Sequence, residues 1–184
     1  MILLSDNKKY LKELKELYKN AFPKEERKTF FFINKLKKAG KAHIYTAVDN
    51  DKFLGFAIIL SDDKYALIDY LAVNEKTRGT GIGSEIINEL KKIYSNKCLF
   101  LERETVLKNC ENPEQRNRRR NFYLRNDFED SGVYVNVYTV DMTLMTYKNR
   151  ITFNEYSVFL KKILGEKIFK KIRVQTSDFS DETL

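Results

Sequence analysis

Arg78-Gly79-Thr80-Gly81-Ile82-Gly83-Ser84 is the stretch best suited to chemistry. Three glycines at alternate positions let a backbone approach a ligand closely. The residues that follow, Ile86, Ile87, Leu90 and Ile93, form an apolar stripe at helical spacing. The residues before it, Ala66 to Val73, read as a buried strand. Strand, glycine loop and helix in that order make a cradle for a phosphate, because the amides of a helix's first turn have no partners of their own. The spacing is neither G-x-G-x-x-G nor the Gly-Lys-Ser/Thr ending of a P-loop. Carboxylates are the other reactive groups. Glu102 and Glu104 lie two apart at the end of a strand and share a face if extension continues. Asp69 interrupts an otherwise apolar strand, and a buried carboxylate is costly unless paired.

The elements that must position these groups follow from periodicity. Residues 8 to 21 carry Tyr10, Leu11, Leu14, Leu17, Tyr18 and Ala21 on one face of a helix that stops before Pro23. A second helix is expected from about Lys28 to Lys38, with Phe32, Ile33 and Leu36 inward and Gly40 at its end. Three strands follow, Ala42 to Val48, Phe53 to Leu60 and Tyr65 to Val73, joined by Asp49-Asn50-Asp51 and Ser61 to Lys64. They predict an antiparallel meander. The helix after the glycine loop leads to the strand Cys98 to Glu102, and a strand–helix–strand crossover implies a parallel pair. Asn112-Pro113-Glu114-Gln115 reads as a capped helix start, with the helix running to about Arg125. Val133 to Thr146 changes its alternation near Thr139, which predicts a bulge or two strands. Phe153 to Leu164 is a further helix closed by Gly165, and the chain beyond Ile172 is expected to fray. The fold class is therefore α/β, with a central mixed sheet flanked by helices. Residues 1–150 are expected to form one domain, with 151–184 as a helical extension packed on it.

Composition bounds the rest. The chain has 184 residues, 42% hydrophobic and 33% charged, with a net charge of +8. No apolar run approaches the roughly 20 residues that span a bilayer. Cys98 and Cys110 match no zinc spacing and no disulfide framework, so they read as free thiols in a cytoplasmic protein. The positive charge suits an anionic ligand, nucleic acid, or simply a lysine-rich exterior. Arg116, Arg118, Arg119 and Arg120 could contact nucleic acid, neutralise the acidic segment Glu102 to Glu114, or meet phosphates. They lack interleaved aromatics for base stacking, which argues against nucleic acid.

Arg78 to Ser84 resembles the R-x-x-G-x-G signature of the GNAT superfamily of acyl-CoA-dependent N-acyltransferases. The order of elements from about Tyr10 to Tyr147 resembles that fold too, with a weak or absent first strand. The resemblance implies that Arg78, Gly79, Thr80, Gly81, Ile82, Gly83 and Ser84 hold the pyrophosphate of coenzyme A. It also implies that main-chain groups of Leu71, Ala72 and Val73 pair with the pantetheine arm. Phe122-Tyr123-Leu124-Arg125-Asn126-Asp127-Phe128 resembles the family's tyrosine followed by Gly-Phe, with Asp127 where glycine is usual. Tyr123 is then the donor to the cofactor sulfur, unless it is only a core tyrosine. Aspartate tolerates left-handed geometry better than most residues.

Amide formation also needs a base for an amine whose pKa is near 10.4. Glu102 and Asp69 are the candidates. In the family the loop between the first two helices covers the acceptor, which brings in Glu25, and Glu104 joins it as a candidate for holding a cationic amine. The implied activity is direct acetyl transfer from acetyl-CoA to a primary amine in a ternary complex. The alternatives are a non-catalytic acyl-CoA-binding module and, less favoured, a basic nucleic-acid-binding domain. The protein would act as a monomer or homodimer, with no metal and no membrane partner.

Overall fold

The computed structural model describes residues 3–5, 8–107, 110, 112–137 and 139–176. A short strand β1 (Leu3–Ser5) and a 3₁₀ turn (Lys8–Tyr10) precede helix α1 (Leu11–Ala21) and helix α2 (Phe30–Lys38). The meander β2 (Ala42–Asp49), β3 (Lys52–Ser61) and β4 (Tyr65–Val73) follows. After it come a 3₁₀ turn (Glu75–Thr77), α3 (Ile82–Ile93), β5 (Cys98–Glu104) and α4 (Pro113–Leu124). The chain closes with β6 (Phe128–Val137), β7 (Val140–Tyr147), α5 (Phe153–Leu164), α6 (Glu166–Ile172) and β8 (Gln175–Thr176). Strand order is β1-β2-β3-β4-β5-β7-β6-β8. The sheet is mixed, with β4 and β5 as its parallel pair. At the start of that pair the Cys98 amide donates to the Lys64 carbonyl at 2.9 Å.

The chain divides into two units, residues 1–61 with 68–95, and residues 62–67 with 96–184. In the first unit, α1 and α2 cover one face of the meander. Leu14, Tyr18, Ile33, Ile44, Phe56, Ile58, Tyr70 and Ala72 form its core. Ile33 and Leu36 are buried as the helical spacing requires. Phe32 is only half-buried and Phe31 is 82% exposed, because the short helix has one inward stripe. Asn50 and Asp51 both take positive φ, the geometry of a tight two-residue hairpin turn. β1 is present as three residues paired antiparallel to β2.

In the second unit, β5, β7 and β6 pair antiparallel, and β8 adds to the edge of β6. Of the bulge or two strands expected over Val133 to Thr146, the structure has two strands, with Thr139 at positive φ between them, and β6 already begins at Phe128. Tyr156, Phe159, Leu160 and Ile163 bury the inner face of α5. Tyr156 and Phe159 meet Phe100 edge-on at 6.2 and 5.4 Å. The expected side-chain cap at Asn112 does not form. Asn112 sits at φ 55, left-handed, whereas a capping residue needs extended geometry for its side chain to reach the following amides. Beyond Ile172, Gln175 and Thr176 pair with β6, and the rest of the segment expected to fray, residues 177–184, lies outside the described residues.

Candidate functional site

The cradle residues are contiguous in the first unit. β4 ends at Val73, and the Asn74 amide donates to the Leu54 carbonyl at 2.7 Å. The Asn74 side chain accepts from the Lys76 amide, and the Thr77 hydroxyl returns to the Asn74 carbonyl at 3.0 Å. The Thr80 hydroxyl donates to the Thr77 carbonyl at 2.7 Å. Gly79 and Gly81 stand at φ 80 and 88, where a side chain would strain the backbone. A Cβ added at either would meet nothing within 4 Å, so the loop faces open space. The first bond of α3 runs from the Glu85 amide to the Gly81 carbonyl at 3.1 Å. The amides of Ile82, Gly83 and Ser84 therefore precede the helical ladder, and Gly81 carries no side chain to cap them. Among the described residues Arg78 forms an ion pair only with Glu75, at 3.5 Å and largely exposed. The arrangement is an uncapped helix start with positive charge beside it, which fits a pyrophosphate.

Along β4, Asp69, Leu71 and Val73 alternate on a half-exposed face, while Tyr70 and Ala72 are buried on the other. Sequence reasoning missed Gly55, which sets where this end of β4 runs. A Cβ at Gly55 would lie 2.5 Å from the Ala72 carbonyl oxygen and 3.1 Å from the Val73 Cα. The pairing of β2 with β3 also slips there, from Ala47 opposite Gly55 to Val48 opposite Phe53. Leu54 is thereby left outside that ladder, and its carbonyl takes the Asn74 amide. The available signal was a glycine inside an apolar strand, which marks a close backbone approach.

Asp69 is paired. Its Oδ1 accepts from the Lys28 Nζ at 2.8 Å, with only 7% of the carboxylate side chain exposed. Its Oδ2 is buried with no hydrogen-bond partner among the described residues. Two tyrosines hold the loop that carries Lys28. The Tyr18 hydroxyl donates to the Lys28 carbonyl, the Tyr70 hydroxyl donates to the Glu26 carbonyl, and the Lys28 amide donates to the Tyr70 oxygen. Burial and the neighbouring Tyr70 push the Tyr18 phenol far above its ordinary pKa, so it stays a donor. Glu25 is exposed in the same loop.

The second unit holds the remaining candidates. The Tyr156 hydroxyl of α5 donates to the Glu102 Oε1 at 2.8 Å. Glu104 pairs with Arg116 at 3.2 Å and Arg119 at 3.4 Å. Asp130 likewise pairs with Arg103 and Arg120. The arginine run thus largely neutralises acidic groups near its own helix. Tyr123 lies near the C-terminus of α4, half-buried, with its ring against Phe122 and Phe128. Its hydroxyl makes no hydrogen bond among the described residues. Burial raises its pKa and Arg119 partly offsets this. Asp127, in the position after which Phe128 starts β6, adopts φ 57, the left-handed geometry expected of it. Cys98 is buried and its thiol is pushed up to about 11, mainly by desolvation, so it is not a nucleophile. Among the described residues no cluster could hold a metal ion.

Residues 40–130 match the family model described as an acetyltransferase (GNAT) domain. The chain is 34% identical over 93 residues to YjbC of Bacillus subtilis (strain 168), which is named as a candidate acetyltransferase. That match covers 50% of this chain and 40% of YjbC, so the chain spans well under half the length of this relative. A candidate GNAT-family acetyltransferase from Bacteroides thetaiotaomicron superposes with a TM-score of 0.70 at 23% identity, covering 90% of this chain and 99% of that one. An aminoglycoside 6′-N-acetyltransferase solved with coenzyme A gives a TM-score of 0.64 at 18% identity, covering 83% and 99%. At these identities the structural likenesses establish the fold, and the family-model match runs through the glycine cradle itself. Residues 40–130 hold the cradle and the strands β4 and β5 on either side of it, and over that span this chain belongs to the GNAT acetyltransferase family.

Proposed function

We propose that the chain transfers an acetyl group from acetyl-CoA to a primary amine, directly, within a ternary complex. The observation that carries this reading is the uncapped start of α3 behind two left-handed glycines. That geometry leaves three amides for a pyrophosphate, and the similar aminoglycoside N-acetyltransferase was solved with coenzyme A. In this reading the amides of Ile82, Gly83 and Ser84 and the Arg78 guanidinium hold the diphosphate. Main-chain groups of Leu71, Ala72 and Val73 hold the pantetheine arm, and an amide there polarises the thioester carbonyl. Asp69 or Glu102 takes the proton from the amine, and Tyr123 donates to the departing sulfur. Glu104, engaged by two arginines, serves to fix α4, which leaves Glu25 as the acceptor-loop carboxylate. The buried, desolvated Cys98 supports direct transfer over an acyl-cysteine route.

A non-catalytic acyl-CoA-binding module would share the cradle and lack turnover. Thiol release from acetyl-CoA, measured against a panel of polyamines, aminoglycosides and lysine peptides, separates the two. Turnover with any of them supports transfer, and binding without turnover across the panel supports the module. Gly81→Asp tests the cradle in either case. It sets a negative charge where the diphosphate would lie, at a helix start that tolerates an acid. Left-handed strain costs about 1–2 kcal/mol. Coenzyme A affinity should vanish with the circular dichroism spectrum unchanged, and an unaltered affinity by calorimetry would defeat the assignment.

A further inference from the structure

Lys28 already occupies the kind of seat that an acceptor amine requires. Its ammonium lies 2.8 Å from Asp69 Oδ1 and 5.3 Å from the centroid of the Tyr70 ring. A carboxylate beside an aromatic face is a recognition element for an ammonium ion. The seat is rigid, because the Lys28 amide and carbonyl are both held by tyrosine hydroxyls, Tyr70 for the first and Tyr18 for the second. It is also reachable, since 27% of the Lys28 side chain is exposed. Asp69 uses one oxygen for this pair, while Oδ2 is buried without a hydrogen-bond partner among the described residues. The fold therefore maintains an acceptor direction on this carboxylate that no neighbour among the described residues satisfies, which costs stability and is the kind of exception that a site explains.

The position of Asp69 along β4 gives the seat its meaning. Asp69 and Leu71 lie on one face of the strand, two residues apart, which is about 6.6 Å at the usual rise. Leu71 begins the stretch whose main chain is assigned above to the cofactor arm and thioester. We propose that Lys28 is itself an acceptor, so that the chain acetylates its own Lys28 Nζ in cis. This rests on the acetyl-transfer reading of the same site. The Lys28 ammonium loses one proton through Asp69 to solvent. The freed Nζ lone pair attacks the thioester carbonyl carbon, a C–N bond forms and the C–S bond breaks. A second nitrogen proton ends on sulfur. The products are N-acetyl-Lys28, the free thiol of coenzyme A and one proton.

The test uses the full chain with acetyl-CoA and follows each lysine by peptide mass mapping over time. Lys24, exposed in the same loop, is the internal reference for uncatalysed acetylation. Lys28 should be acetylated at least tenfold faster than Lys24, with a first-order constant unchanged over a tenfold range of protein concentration. Asp69→Asn should lower the Lys28 rate at least tenfold and leave Lys24 unchanged, while Asp69→Glu recovers part of it. If Asp69→Asn does not fold, the comparison of the two lysines in the wild type decides. A chain that binds coenzyme A by calorimetry but acetylates Lys28 no faster than Lys24 overturns the proposal. So does a Lys28 rate that rises with protein concentration, which would mean transfer between molecules. A wild type that binds no coenzyme A overturns the acetyl-transfer reading itself, a result distinguishable from either.

Discussion

In the proposed acetyl transfer Tyr123 must remain protonated to donate, and its burial favours that state. Desolvation raises its pKa above the usual phenol value, while Arg119 acts in the opposite sense. A phenol near or above 10 cannot give its proton fully to a thiolate whose conjugate acid is near 8.5. In the proposed transfer its contribution is a hydrogen bond to charge developing on sulfur, and donors of this kind supply about 10²–10⁴-fold. Tyr123→Phe keeps the ring against Phe122 and Phe128 and removes a hydroxyl that bonds to nothing among the described residues. Its melting temperature should therefore stay close to the wild type. With the best acceptor of the panel, kcat should fall by 10²-fold or more, with coenzyme A affinity nearly preserved. A kcat within about threefold, where chemistry limits the rate, would make Tyr123 a packing residue.

At the scale of elements, the end of β4 depends on its neighbour. Gly55 allows the Ala72 carbonyl to lie where a Cβ would stand 2.5 Å away. Gly55→Ala must push β4 aside at Ala72 and Val73, at a cost of about 1–3 kcal/mol. Coenzyme A affinity should drop at least tenfold with β-sheet content retained. Unchanged affinity would separate this end of β4 from the cofactor arm. Helix α5 shows a second coupling. Thr152 and Glu155 form a reciprocal cap, and Glu155 Oε1 also accepts from the Tyr65 hydroxyl of β4 at 2.6 Å. These bonds, Tyr65 first and Thr152 next, lower the Glu155 pKa from 4.5 to about 2. A carboxylate depressed on folding contributes stability above its unfolded pKa and loses it as pH falls through its folded one. Glu155→Gln should therefore flatten the acid side of the stability curve between about pH 4.5 and 2, measured by urea midpoints. An unaltered slope there would mean that the carboxylate is not coupled to folding.

These elements also show what the sequence made legible. Tyr65–Val73 and Phe153–Leu164 stand where periodicity and turn chemistry set them, because each is bounded by residues that act locally. The cradle was legible for the same reason, as its glycines answer to the backbone of their own loop. What escaped depended on distant partners. Lys28 and Asp69 are 41 residues apart, and nothing near either announces the other. Gly55 meets Ala72 across a strand pair. Asn112 has the right residue type for a cap, yet the chain enters α4 through left-handed geometry, which the dipeptide alone does not dictate.

At the scale of the whole molecule, the net charge of +8 includes arginines that α4 spends on Glu104 and Asp130 rather than on solvent. The family model ends at residue 130, whereas the second unit runs on to include α5 and α6. The question is whether residues 151–184 are an appendage or part of what folds. Tyr156, Phe159, Leu160 and Ile163 are each at most 3% exposed. Burying such side chains contributes about 1.5–3 kcal/mol apiece, so these four supply roughly 6–12 kcal/mol. That rivals the entire 5–15 kcal/mol by which a typical domain is stable. The Tyr156 bond to Glu102, the Glu155 bond to Tyr65 and the Lys162 pair with Asp62 add polar contacts within the same unit. A chain truncated after Arg150 should therefore lose the second unit, not merely a tail. Amide hydrogen exchange would show β5, β6 and β7 unprotected, and near-ultraviolet circular dichroism would lose its tertiary signal. A truncated chain that melts cooperatively with those strands protected would establish the opposite, that residues 1–150 fold by themselves and the last helices only decorate them.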